Sequence, residues 1–198
     1  MELRRLAKAV VFAVSTVAVL PLLAVAWIEK RLARGEAVFV FCAQLLALLP
    51  GLPGAWLRAA FYAGTLDECA WEVHIGFGSH FTHRGAVVGR HASMGSYCVM
   101  GHANIGQRTM IGSRVSIPSG KRQHLDAEGR LSGSEGRFDC VAVGDACWIG
   151  EGAILLADVG ARCIVSAGAV VVQPVPADSL VGGNPARVLR TLAADSGD

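Results

Sequence analysis

The apolar positions of this chain follow two patterns that occupy different parts of it. From Ala9 to Ile28, twenty residues run without a charge (AVVFAVSTVAVLPLLAVAWI). As a helix they extend about 30 Å, the thickness of a bilayer core. A second apolar stretch from Ala37 to Leu57 is broken by Pro50, Gly51, Pro53 and Gly54. It reads as a second span, a re-entrant hairpin or an interfacial helix. From Ala55 to Gly64 apolar positions alternate around Arg58, which predicts an amphipathic helix leading from a membrane surface into the rest of the chain. Residues 1–65 are thus expected to form helices anchored in membrane lipid. Arg4, Arg5 and Lys8 precede the first stretch and Lys30, Arg31 and Arg34 follow it, so the positive-inside rule selects no orientation. A cleaved secretory signal ending near Ala24-Val25-Ala26 is the competing reading. Its apolar core would exceed the usual ~7–15 residues.

Beyond Leu66 the period changes. Aliphatic residues stand directly before glycine in Ile75-Gly76, Val88-Gly89, Met94-Gly95, Met100-Gly101, Ile105-Gly106 and Ile111-Gly112, and again in Val143-Gly144 and Ile149-Gly150. The steps from Gly89 are six, six, five and six residues. Small or branched residues such as Ala92, Cys98, Thr109, Val115, Cys147 and Ala153 fall four places after the aliphatic one. This is neither a 3.6 period nor a long alternation, but a short strand and a corner, repeated. Each aliphatic residue enters a narrow interior, glycine turns the corner without a side-chain clash, and coils stack by hydrogen bonds. The expectation is an all-β main domain over residues 66–192, preceded by hydrophobic α-helices and followed by a flexible tail, 193–198.

Composition sharpens this picture. The chain of 198 residues is 53% apolar and 17% charged and has 24 glycines, which excludes a disordered polar chain. Eighteen basic against sixteen acidic residues leave a net charge of +2, too little for a general nucleic-acid field. Six cysteines without a Cys-x-x-Cys pair lack zinc-ribbon or thioredoxin spacing and read as free thiols.

Between Ile117 and Val141 the repeat lapses into a polar, glycine-rich insertion containing His124, the kind of loop that carries function on a regular scaffold. The stretch Val115-Ser-Ile-Pro-Ser-Gly-Lys-Arg-Gln-His124-Leu-Asp126, the later Val143-Gly-Asp-Ala-Cys-Trp148-Ile-Gly150 and the closing Gly183-Asn-Pro-Ala-Arg187-Val-Leu-Arg190 resemble the hexapeptide-repeat acyltransferases. Within that family they are similar to the acetyl-CoA-dependent sugar and xenobiotic O-acetyltransferases. The resemblance implies a left-handed parallel β-helix, an exception to the right-handed crossover rule, and a homotrimer with active sites between subunits. It implies acetyl-CoA as co-substrate and no metal. His124 would act as general base and Asp126 would orient it. Trp148, Gly150, Ala167, Gly168, Arg187 and Arg190 would meet the coenzyme, with a backbone N–H of the coil beginning at Trp148 facing the oxyanion. His80, His83 and His102, with His91 nearby, would line the acceptor site. Glu151 and Val172 stand where the family uses Ser or Thr, which leaves the coenzyme pocket and the acyl length open.

Each site residue has a structural alternative: a solvated loop for His124 and Asp126, packing for Trp148, snorkelling for the arginines. With the anchor, the resemblance implies acetylation of a saccharide or lipid-linked envelope glycan at a bacterial inner (cytoplasmic) membrane, the β-helix facing the cytoplasm. The alternatives are a zinc hydrase like the γ-carbonic anhydrases, whose His-x-x-x-x-His pair is missing, a non-catalytic scaffold, and a covalent route through Cys140.

Overall fold

The computed structural model describes residues 2–33, 35–121, 124–125, 129–131 and 138–192. Three helices open the chain: α1 (Glu2–Leu32), α2 (Ala37–Ala47) and α3 (Gly51–Thr65). The first coil comprises β1 (Glu68–Cys69), β2 (His74–Ile75) and β3 (His80–Phe81), and the second β4 (Val87–Val88), β5 (Ser93–Met94) and β6 (Val99–Met100). The third is β7 (Ala103–Ile105), β8 (Met110–Ile111) and β9 (Ser116–Ile117), and the fourth β10 (Val141–Val143), β11 (Trp148–Ile149) and β12 (Ile154–Leu155). β13 (Ile164–Val165), β14 (Val170–Val171) and β15 (Ser179–Gly183) complete the stack, and β16 (Ala186–Thr191) turns back antiparallel to β15.

Through β12 every third strand joins one sheet, and beyond it every second one does, giving a four-stranded sheet (β1-β4-β7-β10), a seven-stranded sheet (β16-β15-β13-β11-β8-β5-β2) and a five-stranded sheet (β14-β12-β9-β6-β3). Bridges from Val143 to Val159 and from Val159 to Val175 continue the four-stranded face. This triangular solenoid of about six turns fits a left-handed parallel β-helix. The term all-β applies to these coils alone, because helices occupy the first third of the chain.

Steric demand explains the glycines. A Cβ on Gly150 would stand 2.4 Å from the amide nitrogen of Ala167 in the next coil. The corner glycine therefore permits close stacking. Left-handed corner conformations fall mostly on other residues, among them Tyr97, Arg108 and Ala146. Cys98, Cys147 and Cys163 are buried inside the prism, where desolvation pushes their thiols up; they are small core residues.

An open solenoid end exposes a layer of core and strand edges, and here the helices close it. α3 packs on β1 and β2 and α2 on β3, and one continuous core runs from Val19 through Phe61 and Phe81 to Val181. Arg58, expected on a polar helix face, is 1% exposed. Its guanidinium donates to Ile75 O at 2.9 Å and to Leu46 O and Leu49 O at 2.9 and 2.8 Å. It thereby ties Leu46 O near the C-terminal end of α2, which also accepts the Leu49 N–H at 3.2 Å, and Leu49 O just past that helix to the first coil. Burial lowers its pKa. A second buried tie joins Arg84, before β4, to Glu29 of α1. The Glu29 carboxylate accepts the N–H groups of Val38 and Phe39 at 2.6 and 2.9 Å and so caps α2 from outside. Of the readings open for the second apolar stretch, a second span is thus excluded: eleven residues of α2 cover about 16 Å, and that helix is committed to the solenoid end.

Candidate active site

Inward-facing residues locate the irregularity of the repeat. From the four-stranded to the seven-stranded sheet the step is always six, as from Val88 to Met94, Ile105 to Ile111 and Val143 to Ile149. From the seven-stranded to the five-stranded sheet it is again six, as from Ile75 to Phe81 and Ile149 to Leu155. Only the third edge varies: Phe81 to Val88, Met100 to Ile105, Leu155 to Val159, and the long insertion between Ile117 and Val143. Two edges are held to a common length by stacking, and the third is free to carry a loop.

His124 lies in that insertion, exposed, on a turn beside the bridge between Leu125 and Leu131. Asp126 lies outside the described residues. Where the insertion leaves and rejoins the coils, a cleft of about 400 Å³ is lined by Gly120, Lys121, Asp139, Cys140, Leu156 and Asp158. Cys140 is the exposed thiol of this cleft. Desolvation and the Asp158 carboxylate hold its pKa above the ordinary range, which works against a thiolate nucleophile.

Two of the three predicted acceptor histidines occupy the same edge on lower coils. His102 donates its N–H to Ser119 Oγ at 2.9 Å and accepts from Val141 N–H at 3.0 Å, bracketing both roots of the insertion. Its ring lies over Gly85, where a Cβ would stand 3.0 Å from Nε2. The His83 ring lies 4.6 Å from that of Phe138, tilted by 51°, and Phe138 is the first described residue of the returning segment. His83 also holds Glu36 through Nδ1 at 2.9 Å, so it serves the cap as well as the edge, a role the sequence reading missed. His80 stands apart on β3, half-buried. His91 lies at a corner after β4 in the left-handed conformation.

The predicted coenzyme residues sit elsewhere. Trp148 on β11 is 55% exposed and lies in register with Met110 on β8 and Ile164 on β13. Ile164 pairs with Leu180, and Leu180 with Arg190. Trp148 and Arg190 thus belong to one row across four strands, about 14 Å from end to end. Arg187 is paired with Gly182 on the same sheet, and Ala167 and Gly168 form the corner stacked on Gly150. All six belong to the seven-stranded face or its corner, whereas the insertion emerges at the edge opposite that face. Among the described residues no hydrogen bond or ring contact joins His124 to them.

Trp148 N–H donates to Cys163 O at 2.9 Å and Gly150 N–H to Val165 O at 2.7 Å. Both are spent on coil stacking, so an oxyanion donor from this coil would be another of its N–H groups. Among the described residues no group of three His, Cys, Asp or Glu side chains is placed to hold a metal ion.

No protein-family model matches the chain, and no curated protein matches it by sequence. Solved structures do. A hexapeptide-repeat-containing acetyltransferase of Vibrio cholerae, complexed with acetyl coenzyme A, is similar over 89% of this chain and 88% of its own, with TM-score 0.62 and 24% identity. A maltose O-acetyltransferase of Clostridium difficile matches 76% of this chain and 83% of its own, with TM-score 0.67 and 22% identity. A galactoside acetyltransferase in complex with coenzyme A matches 76% and 77%, with TM-score 0.60 and 16% identity. The solenoid fold of this chain is the one these hexapeptide-repeat acetyltransferases share.

Proposed function

We propose that the chain is a coenzyme A-dependent O-acetyltransferase that moves an acetyl group from acetyl-CoA to a saccharide hydroxyl at a membrane, with His124 as general base. The observation that carries this reading is the polar insertion with its exposed histidine at the one variable edge of the solenoid, its roots touching His102 through Ser119 and His83 through Phe138. The fold shared with acetyltransferases, one solved with acetyl-CoA and one with coenzyme A, supports it.

The reaction suits the residues. A neutral imidazole takes the hydroxyl proton as the oxygen attacks the thioester carbonyl. The C–S bond breaks, and the imidazolium returns the proton to the departing sulfur. Asp126 would position His124. The pantetheine arm fits the exposed Trp148 surface and the side-chain-free corner at Gly150 and Gly168, and Arg187 and Arg190 would meet its phosphates. Since the insertion and the Trp148 face point to different sides of one prism, a complete site needs the insertion of one protomer against the Trp148 face of the next, as in a homotrimer.

Thiol release from acetyl-CoA tests the reading. His124→Ala should lose about 10²–10⁴ of the rate; an unchanged rate refutes the histidine mechanism. Mixing inactive His124→Ala protomers with inactive Trp148→Ala protomers should restore activity at roughly a quarter of the interfaces, because each shared site then has that chance of two intact halves. No recovery after confirmed subunit exchange refutes the shared site.

A further inference from the structure

We propose that the helical cap lies flat on one membrane leaflet, with α1 in the plane of the interface and not across the bilayer. The composition of α1 suits a span, but its contacts do not. Towards its N-terminus the Phe12 ring lies 5.8 Å from that of Trp71. Lys8 and Phe12 share a cavity of about 430 Å³ with Trp71, Glu72, His74 and His91 of the first two coils. At the C-terminal end Glu29 holds Arg84, Trp27 Nε1 donates to Gly64 O at 2.8 Å, and Lys30 is 3.9 Å from Asp67. Phe12 and Glu29 are about 25 Å apart along the helix, and both touch the same end of the solenoid. A spanning helix has its ends on opposite sides of about 30 Å of hydrocarbon. With α1 upright, Glu72, with Arg90 and His91 beside it at 3.8 and 3.9 Å, would be drawn to bilayer depth at a cost no span recovers.

The free side of α1 shows what covers it. Ser15, Val19, Leu23 and Ala26 are buried inward, and the opposite stripe of Val10, Val14, Val17, Val25 and Ile28 is exposed. Phe41, Leu45 and Leu48 of the α2 segment are exposed as well, and Leu52 and Trp56 of α3, partly exposed, line the cavity beside Lys8 and Phe12. An apolar surface of this extent marks an interaction face. Exposed Arg5 and Lys8 lie at one end of α1 and Lys30 and Arg31 at the other, with the half-exposed Trp27 and Trp56 between lipid and water. Basic ends and interfacial tryptophans around an apolar stripe fit a leaflet with anionic headgroups. The basic flanks that give a spanning helix no orientation are the arrangement expected when both ends face one headgroup layer. A second copy on this face would set like charges against each other.

Seating fixes the height of the chemistry. The insertion leaves from β9 on the third coil, about 10 Å above the first at the usual strand spacing. The hydroxyl acceptor is accordingly a saccharide headgroup borne by a lipid in that leaflet. This last step rests on the acetyltransferase reading.

The test uses the full chain, with Cys140→Ser, in phosphatidylcholine vesicles containing one quarter phosphatidylglycerol. Single nitroxide labels go on Val10→Cys, Val17→Cys and Val25→Cys. Burial pushes the nearby Cys69 thiol up to about 12, so it does not compete for label. Oxygen and nickel-chelate accessibilities then give depth. Flat seating predicts three similar depths about 5–10 Å below the headgroups. A middle label near 15 Å with the ends at opposite interfaces, or labels shielded from oxygen by a second copy, or labels in water, overturns it. Thiol release from acetyl-CoA is read on the same vesicles: an active protein with the wrong depths sinks the seating alone, and flat seating without activity sinks the enzymatic reading alone.

Discussion

Replacing Arg58 by alanine removes the pin between the helical cap and the first coil. Three carbonyls, Leu46 O, Leu49 O and Ile75 O, lose a charged donor at 2.8–2.9 Å. A hydrogen bond to a charged group contributes about 1.5–3 kcal/mol, so the gross loss is about 4.5–9 kcal/mol, and about 1.6 kcal/mol more goes with two buried methylenes. Against this, the variant no longer desolvates a guanidinium, a saving of several kcal/mol. The net expectation is about 3–5 kcal/mol, which for a chain of this size is roughly 6–20 °C in Tm. The assay is far-UV circular dichroism melting in one fixed lipid nanodisc, with hydrogen exchange over Leu46–Leu49 and Ile75 to locate the loss. Arg58→Lys keeps the charge but cannot bridge three carbonyls, and should fall between alanine and the parent. A Tm for Arg58→Ala within 2 °C of the parent would refute the claim that this side chain ties cap to coil.

The other predictions concern stacking, corners and pH. Gly150→Ala drives a Cβ to 2.4 Å from Ala167 N, backbone that cannot move aside, and should cost about 1–3 kcal/mol in chemical denaturation; a neutral result contradicts the close-stacking account. Ala146→Gly should raise Tm, because Ala146 sits at φ +53°, where a side chain costs about 1–2 kcal/mol and glycine's own entropy returns part of that; a lower Tm counts against it. Glu36 is desolvated, which raises its pKa, but the hydrogen bonds from His83 and the Arg84 N–H together with their charges outweigh this and hold it below the ordinary 4.5. Its folded pKa lies under its unfolded one, so its stabilisation is complete above about pH 4.5 and is lost as pH falls through the folded value. The Tm gap between the parent and Glu36→Gln should therefore be fully open above about pH 4.5 and close as pH falls below it.

What the sequence revealed follows from how its residues are constrained. The six-residue step was visible because every coil repeats the same local demand: an aliphatic residue in the prism and a glycine where the next backbone passes at contact distance. The site edge was visible for the complementary reason. Shortened steps at Met100 to Ile105 and Leu155 to Val159 and the His124 insertion all fall where no stacking requirement holds the length. Arg58 was misread because a lone charge among apolar residues looks the same whether it faces water or three carbonyls, and those carbonyls come from two segments that meet only in the fold. The tie from Glu29 to Arg84 spans 55 positions and leaves no periodic trace. The same limit separates Trp148 from His124. Both lie on recognisable motifs, yet only the order in which strands join the three sheets shows that one prism puts them on different sides. Hydropathy likewise scores α1 equally well upright or flat. Its contacts at both ends with the same coils are what the proposed flat seating rests on, and together with the proposed shared site they pose one geometric problem: which protomer's insertion would reach which protomer's Trp148 if all stood on the same leaflet.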